Sequence, residues 1–160
     1  MADLCVGTGF DAHAFEPGVP LVIGGMTFRG DRGLAGHSDG DVVTHALIDA
    51  ILGAAALGDI GTLFPSDDPT LLGVSSLKLL REAYAHVQRS GWRLVNADVV
   101  LIGNEPRIAP VSKEIATLLM STVGEGRIGV RATTTDGLGF TGRGEGLAAQ
   151  AVALLERAAP

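Results

Sequence analysis

Asp11, His13 and His45 are the residues whose types and spacing point most directly to chemistry. Asp11 and His13 follow a predicted strand, Leu4 to Phe10, and residues two apart in an extended segment project to the same side. Two imidazoles and a carboxylate with one open position are typical of a reactive zinc site. A single Asp-x-His pair is a weak signal. Three of the four histidines lie within the 33 residues from His13 to His45, however, which favours a metal site.

The segment from His37 to Leu77 contains six acidic residues and no Lys or Arg. Some of these acids are placed to cap helices or form turns. The same charge would also bind cations, and an anionic substrate would then need metal ions to approach. Asp49 stands one helical turn beyond His45, so it either orients that imidazole or is a surface acid. The six acids are Asp39, Asp41, Asp49, Asp59, Asp67 and Asp68.

A third feature is the run Thr133 to Asp136, which leads into a glycine-dense stretch, 137–144. Consecutive threonines are good strand residues, so the run has a purely structural interpretation. Hydroxyls, free backbone N–H groups and Arg143 together also suit a phosphate, because glycine lets the backbone approach the oxygens. No Gly-Lys-Ser/Thr follows, which excludes the Walker pattern.

Alternating strand and helix patterns must position these residues. A tight hairpin is predicted at Leu21 to Phe28, and the first long helix begins near Ser38 or Asp39 and ends at Leu57. The later elements are a structural helix (Ser76 to Arg89, which carries an exposed His86), a strand (Arg93 to Ile102), a helix (Pro110 to Val123), a strand (Arg127 to Thr135) and a last helix (Glu145 to Ala158). The pattern predicts one layered α and β domain.

Composition narrows the function classes. The 160 residues are 46% apolar and carry a net charge of −6, which indicates a folded domain and argues against nucleic acid as a partner. The one cysteine cannot form an internal disulfide. The sequence shows neither a signal-peptide pattern nor an apolar stretch long enough to cross a membrane, so we expect a cytoplasmic protein.

Several long motifs, taken in order, resemble the 2-C-methyl-D-erythritol 2,4-cyclodiphosphate synthase family. They are Gly9 to Phe15, Gly36 to Asp41 with His45, Gly58 to Gly61, Leu63 to Pro65, and Thr133 to Gly146. The resemblance implies an α+β fold over residues 1–160: a single-domain two-layer sandwich with a mixed four-stranded sheet, helices on one face and a β-hairpin. It also implies a homotrimer with active sites between subunits.

The implied activity is that of a CMP-forming phosphorus-oxygen lyase in non-mevalonate isoprenoid biosynthesis. The substrate would be 4-diphosphocytidyl-2-C-methyl-D-erythritol 2-phosphate, whose 2-phosphate attacks the β-phosphorus to give the cyclic diphosphate and CMP. Positioning and charge neutralisation suffice for such a transfer, so no nucleophilic side chain is needed.

The resemblance also assigns residues. Asp11, His13 and His45 match the ligands of zinc or another divalent transition metal, and His37 and Thr134 match the residues that hold the reacting phosphates. Substrate contacts are implied for Asp11, His13, His37, Ser38, Asp59, Ile60, Gly61, Phe64, Pro65, Ser66, Asp67, Asp68, Gly103, Asn104, Glu105, Pro106, Arg107, Ile108, Ala109, Thr133, Thr134, Thr135, Asp136, Phe140 and Arg143. The cytidine would contact the Gly103 to Ala109 and Thr133 to Asp136 segments.

Magnesium or manganese is implied at the substrate diphosphate, with Asp136 as its contact. This chain has Asp136, Arg107 and Ser66 where the family usually has Glu, Lys and Asp, respectively. Phe10, Arg143 and Glu145 match residues that line a central cavity on the trimer axis, where an isoprenoid diphosphate can lodge. An Arg-to-Glu pair closing that axis is the plain alternative.

Two other functions remain open at this point. A zinc-dependent phosphate-ester hydrolase could use the same three ligands to activate water. A trimeric binding module that senses an anionic metabolite is the other, although the presence of Asp11, His13, His45 and Thr134 together argues against loss of catalysis.

Overall fold

A computed structural model describes residues 3–158 and shows one mixed five-stranded sheet covered by helices on one face. The strand order is β4-β1-β7-β5-β6, where β5 and β6 are parallel and the other neighbours are antiparallel. A separate hairpin pairs β2 with β3. The strands are β1 (Leu4–Pro17), β2 (Leu21–Ile23), β3 (Met26–Phe28), β4 (Arg32–Leu34), β5 (Trp92–Ile102), β6 (Arg127–Thr133) and β7 (Gly146–Arg157).

The helices form the second layer, with α1 at its centre. They are α1 (Val42–Ala54), α2 (Ile60–Leu63), α3 (Ser76–Arg89), α4 (Ser112–Val123) and α5 (Gly139–Gly142), with single 3₁₀ turns at Pro69–Leu71 and Ala109–Val111. Nearly every side chain of α1 is buried, because α1 packs on β1 and β7 and is flanked by α3. The residues of β7 that face the helices are also buried, and they include Ala149, Ala151 and Ala153. These small residues let α1 lie close to the sheet.

Gly7 and Gly9 of β1 allow α1 to lie close to the sheet. A Cβ atom at Gly7 would lie 2.1 Å from the carbonyl oxygen of Ala50, and one at Gly9 would lie 1.9 Å from that of Ala46. Any side chain at these positions would push α1 off the strand. Since α1 carries His45 and β1 carries Asp11, Gly7 and Gly9 set the depth at which the site is built.

The prediction of a last helix over Glu145 to Ala158 is wrong, because this segment forms strand β7 in the middle of the sheet. Alanine and leucine favour helices locally, and both faces of the segment are mostly apolar, so no polar alternation marks it as a strand. Pairing with β1 on one side and β5 on the other outweighs the local preference. The sheet consequently has five strands, and the prediction of four is also corrected.

Other elements differ at their ends. The first long helix begins at Val42, not at Ser38 or Asp39, because Gly40 adopts φ +72° and Asp41 is the N-cap. It ends at Ala54, before the predicted Leu57. Strand β1 continues seven residues beyond Phe10 to Pro17, and β6 stops at Thr133. Helix α3 and the hairpin have the predicted bounds.

The other face of the sheet carries no helix layer within residues 3–158. Its exposed apolar side chains are Leu4, Val6, Phe10 and Val152, with 53%, 65%, 59% and 43% of their surface accessible, respectively. An apolar sheet face of this kind marks an interaction surface. Within the described residues, no helix is long and apolar enough to cross a membrane.

Candidate active site

The structure brings Asp11, His13 and His45 together as predicted. The Asp11 carboxylate lies 2.9 Å from His13 Nε2 and 3.0 Å from His45 Nδ1, and the two ring nitrogens are 3.4 Å apart. One donor atom from each residue lies within 4.8 Å of the others. Two neutral imidazoles and one carboxylate that converge on a point are a donor set that suits a divalent transition metal. The residues therefore fit such an ion.

Local structure explains why these side chains meet. Asp11 and His13 are alternate residues of β1 and point toward the helix layer, where His45 occupies the first turn of α1. Asp41, fully buried, fixes that turn: its carboxylate accepts hydrogen bonds from the backbone N–H groups of Gly24, Gly25 and Thr44 and from the Thr44 hydroxyl. The β2–β3 turn is thereby bound to the start of α1.

The second ring nitrogen of His45 faces two serines. His45 Nε2 lies 2.8 Å from Ser76 Oγ and 3.0 Å from Ser38 Oγ. Ser76 is fully buried at the first residue of α3, and its hydroxyl donates to Asp39. Helix α3 was predicted to be structural, and no role was predicted for Ser76. A lone serine 31 residues from its partner carries no signal that could have identified it.

Charge in the site is arranged around Asp11. Burial favours the neutral form of Asp11, but hydrogen bonds to His13 and His45 outweigh burial and hold the pKa of Asp11 well below its ordinary value. The hydrogen bond to Asp11 in turn raises the pKa of His13. Desolvation raises the pKa of Asp41 despite its hydrogen bonds. The carboxylate of Asp11 thus stays ionised and attracts a cation.

A cavity of about 590 Å³ opens over the three ligands. Its volume falls in the range of small-molecule sites. Eleven of the predicted residues line it, together with three apolar residues that were not predicted, Leu71, Val74 and Leu79. The eleven are Asp11, His13, His37, Ser38, His45, Ile60, Gly61, Phe64, Pro65, Ser66 and Asp67.

Two predicted substrate contacts do not line this cavity but shape its wall. Asp59 caps α2 by accepting from the N–H of Thr62 at 2.7 Å, and Asp68 caps the following 3₁₀ turn. The carbonyl of Asp68 lies 2.8 Å from Nε2 of His37, which fixes that imidazole. The turn-forming interpretation of these acids is confirmed for Asp59 and Asp68, and Asp39 and Asp41 likewise bind helix starts.

Asp49 makes no hydrogen bond to His45, although both residues are described by the structure. Its carboxylate accepts from the N–H of Ile60 at 2.7 Å, and the hypothesis that it orients the imidazole is therefore wrong. Partial burial raises the pKa of Asp49. The residue instead binds the first turn of α2 to α1, so it places Ile60 and Gly61 at the edge of the cavity.

The predicted residues Gly103, Asn104 and Thr133 to Asp136 form a second cluster at the carboxyl ends of β5 and β6. Elsewhere in the 103–109 segment, Glu105 forms an ion pair with Arg32 of β4 at 2.6 Å, and Ile108 is fully buried in the core. Gly103 N–H donates to the Thr133 carbonyl at 3.0 Å, and Asn104 donates to the Gly142 carbonyl at 2.9 Å. The Thr134 hydroxyl lies 3.1 Å from the Asp136 carboxylate. The segments that hold these residues, 103–109, 133–136 and 140–143, do not line the metal-site cavity of the same chain.

Over residues 4–156 the sequence matches the YgbB family. The chain belongs to this family. The 2-C-methyl-D-erythritol 2,4-cyclodiphosphate synthase of Moorella thermoacetica is 55% identical over 152 residues, which are 94% of this chain and 93% of that relative.

Solved structures agree with the YgbB assignment. The bifunctional IspDF protein of Campylobacter jejuni matches with a TM-score of 0.94 and 39% identity over 98% of this chain, which corresponds to 43% of that longer protein. IspF of Plasmodium falciparum, solved as a CDP complex, matches with a TM-score of 0.84 and 28% identity over 98% of both chains. The similarity in fold thus extends over almost the whole chain.

Proposed function

We propose that this protein converts 4-diphosphocytidyl-2-C-methyl-D-erythritol 2-phosphate into 2-C-methyl-D-erythritol 2,4-cyclodiphosphate and CMP in non-mevalonate isoprenoid biosynthesis. Residues 1–160 would act as one cyclodiphosphate synthase domain, a phosphorus-oxygen lyase, in the cytoplasm. The observation that carries the proposal is the convergence of Asp11, His13 and His45 beneath a cavity in a YgbB-family chain. The name of its Moorella relative supports the same reaction.

The proposed reaction is an intramolecular phosphoryl transfer. An oxygen of the substrate's 2-phosphate forms a bond to the β-phosphorus of its own cytidine diphosphate. The bond from that phosphorus to the oxygen bridging to the α-phosphorus breaks, and CMP leaves with the electron pair. No water is consumed. The protein must therefore bring two anionic groups together and neutralise their charge.

Asp11, His13 and His45 would hold zinc or another divalent transition metal. When bound, such an ion supplies positive charge to phosphate oxygens and so reduces the repulsion between the two groups. His37 is fixed by the carbonyl of Asp68 and faces the same cavity, so it is placed to hold a reacting phosphate. Thr134 is the residue proposed to hold the other one.

The erythritol phosphate would occupy the cavity itself. Ser38 offers a hydroxyl at the cavity wall, and Ile60 and Gly61 line the cavity at the start of α2. The turn from Phe64 to Asp68 forms the far wall. Asp59 and Arg143 complete the proposed contacts to this part of the substrate.

The cytidine diphosphate would bind to the second cluster, Gly103 to Ala109 and Thr133 to Asp136, with Phe140 nearby. Magnesium or manganese at the diphosphate would be contacted by Asp136. Because this cluster is separate from the metal-site cavity within one chain, we propose a homotrimer in which one subunit's cavity faces the next subunit's cluster. The apolar sheet face of Leu4, Val6, Phe10 and Val152 supports such an assembly.

An isoprenoid diphosphate on the trimer axis belongs to the same proposal. Phe10 is exposed on the open sheet face, and Arg143 forms an ion pair with Glu145 at 2.6 Å from Nε to Oε1. That this pair closes a trimer axis, the plain alternative, remains a prediction. Arg143 would have to leave Glu145 to bind an anion there or to contact the erythritol phosphate.

The test is CMP release from the cytidylyl substrate by the pure protein supplied with zinc and magnesium. We expect release that a chelator stops and re-added metal restores, and that His45→Ala abolishes. His86→Ala is the matched histidine control, because His86 lies on α3 outside the metal-site cavity. Binding of the substrate without CMP release would instead support the sensing module.

A further inference from the structure

The buried hydroxyl of Ser76 is the polar group beside the site that the proposed reaction leaves without a role. We propose that Ser76, backed by the carboxylate of Asp39, is a positioning residue that holds His45 in the orientation and tautomer required of a metal ligand. The inference rests on the metal site of the proposed function, and it adds two residues to that site.

The geometry forms a chain of three groups. His45 Nδ1 faces Asp11 and His13, while Nε2, on the opposite side of the ring, lies 2.8 Å from Ser76 Oγ. The Ser76 hydroxyl donates a hydrogen bond to Asp39 Oδ1, so the Ser76 oxygen can accept a hydrogen bond from another group. The Nε2–H group of His45 is therefore the donor of the hydrogen bond between His45 and Ser76 Oγ. Nδ1 keeps its lone pair for the ion.

This series of hydrogen bonds also affects how His45 can bind a metal ion. A ligating histidine generally donates its other N–H to a fixed acceptor, which sets the ring orientation and makes the ligating nitrogen more basic. Here the acceptor is a hydroxyl polarised by a carboxylate. The arrangement extends the effect of the Asp39 charge to the imidazole.

Ser38 is within reach of the same nitrogen, at 3.0 Å, but it differs from Ser76 in position. Ser38 is half-buried and lines the cavity, whereas Ser76 is fully buried behind the ring. One N–H makes one well-directed hydrogen bond. We therefore assign that bond to Ser76, which leaves the Ser38 hydroxyl available to a ligand in the cavity.

Asp39 is held where this role requires it. Its second oxygen, Oδ2, accepts from the backbone N–H of Ser76 at 2.8 Å, so one carboxylate contacts both the hydroxyl and the backbone of the same residue. This second bond also caps the N-terminus of α3. It survives when the hydroxyl is removed, so Ser76→Ala should retain the link between Asp39 and α3.

The test is the affinity of the purified protein for zinc, measured by competition with a chromophoric chelator. Ser76→Ala should bind zinc about 10- to 100-fold more weakly than the parent, the usual effect of removing a partner of a ligating histidine. Ser75→Ala is the matched control: Ser75 is adjacent and exposed, and its side chain makes no cap hydrogen bond. It should bind zinc as the parent does.

Two further readouts separate positioning from a merely structural role. The visible spectrum of the cobalt-substituted protein should change in Ser76→Ala and not in Ser75→Ala, because the ligand field senses ring orientation. In the zinc-loaded parent, proton–nitrogen NMR should show a slowly exchanging proton on His45 Nε2 that persists in Ser38→Ala. This measurement does not depend on the folding of Ser76→Ala.

Unchanged zinc affinity and an unchanged cobalt spectrum in a folded Ser76→Ala would overturn the inference. So would rapid exchange of the Nε2 proton in the parent. Both results would leave the metal site and the proposed reaction standing. A parent that binds no divalent ion would instead remove the metal site itself, and the inference with it.

Discussion

At the residue scale, the three metal-ligand candidates could be predicted from sequence, because alternate residues of a strand share a face and only a few histidines were available. Their supporting groups could not. Ser76 reaches His45 through the packing of α3 against α1, and Asp39 contacts Ser76. Asp49 shows the converse: helical spacing placed it near His45, but a backbone N–H of α2 is its actual partner.

The glycine-rich turn after β6 gives a prediction for Asp136. This residue adopts φ +51°, a left-handed conformation that Asp and Asn tolerate better than Glu does. If Asp136 contacts magnesium, Asp136→Asn should keep the turn and lose the charge, and the magnesium concentration for half-maximal activity should rise about tenfold or more. Activity titrated with magnesium measures this. Asp136→Glu is the charge-retaining control and should remain active; a parent-like titration for Asp136→Asn would make Asp136 a turn residue only.

At the element scale, most of the secondary structure follows from local sequence signals, and strand β7 is the exception. Helix α3 ends at Arg89 as predicted, and the hairpin forms around Gly24 and Gly25. Strand β7 was misassigned because its two apolar faces hide the two-residue period of a strand. Its identity depends on β1 and β5, which lie far away in the sequence.

The close contact between α1 and β1 gives a prediction about Gly9. Gly9→Ala should lower the free energy of unfolding by about 1–3 kcal/mol or more, because the added Cβ overlaps the Ala46 carbonyl. The same shift should separate His45 from Asp11 and weaken zinc binding. Urea denaturation of the metal-free protein and chelator competition measure the two effects.

Gly53→Ala is the matched control for Gly9→Ala. Gly53 lies in α1, and the nearest atom to a Cβ there would be 3.8 Å away. Alanine should therefore be tolerated and should stabilise the protein by up to about 1 kcal/mol, since it is the better helix former. Equal stability of the two variants would contradict the role assigned to Gly9.

At the scale of the whole molecule, the open sheet face and the separation of the two clusters both point to assembly. A monomer would leave the apolar side chains of β1 and β7 in water and the metal site far from the proposed cytidine site. The family resemblance predicts that this assembly is a trimer.

Charges on the open sheet face should dissociate the trimer. Val6→Asp together with Val152→Asp places two carboxylates on adjacent strands of that face, where burial against another subunit would be costly. Sedimentation should show a trimer for the parent and a monomer for the double variant, with CMP release reduced at least tenfold.

Leu72→Asp is the control for the charge itself, because Leu72 is at least as exposed as Val6 and Val152 but lies in the loop before α3. It should sediment as the parent does. A monomeric parent with full activity would contradict the shared active site, since one chain would then suffice for both parts of the substrate.

The most direct test of the central claim is the reaction run in water labelled with oxygen-18, with products examined by phosphorus NMR and mass spectrometry. Intramolecular transfer should yield CMP and the 2,4-cyclodiphosphate in equal amounts, without label in either product and without inorganic phosphate. Label in CMP or in a linear diphosphate, or release of inorganic phosphate, would show that the metal site activates water, and the protein would be a phosphate-ester hydrolase instead.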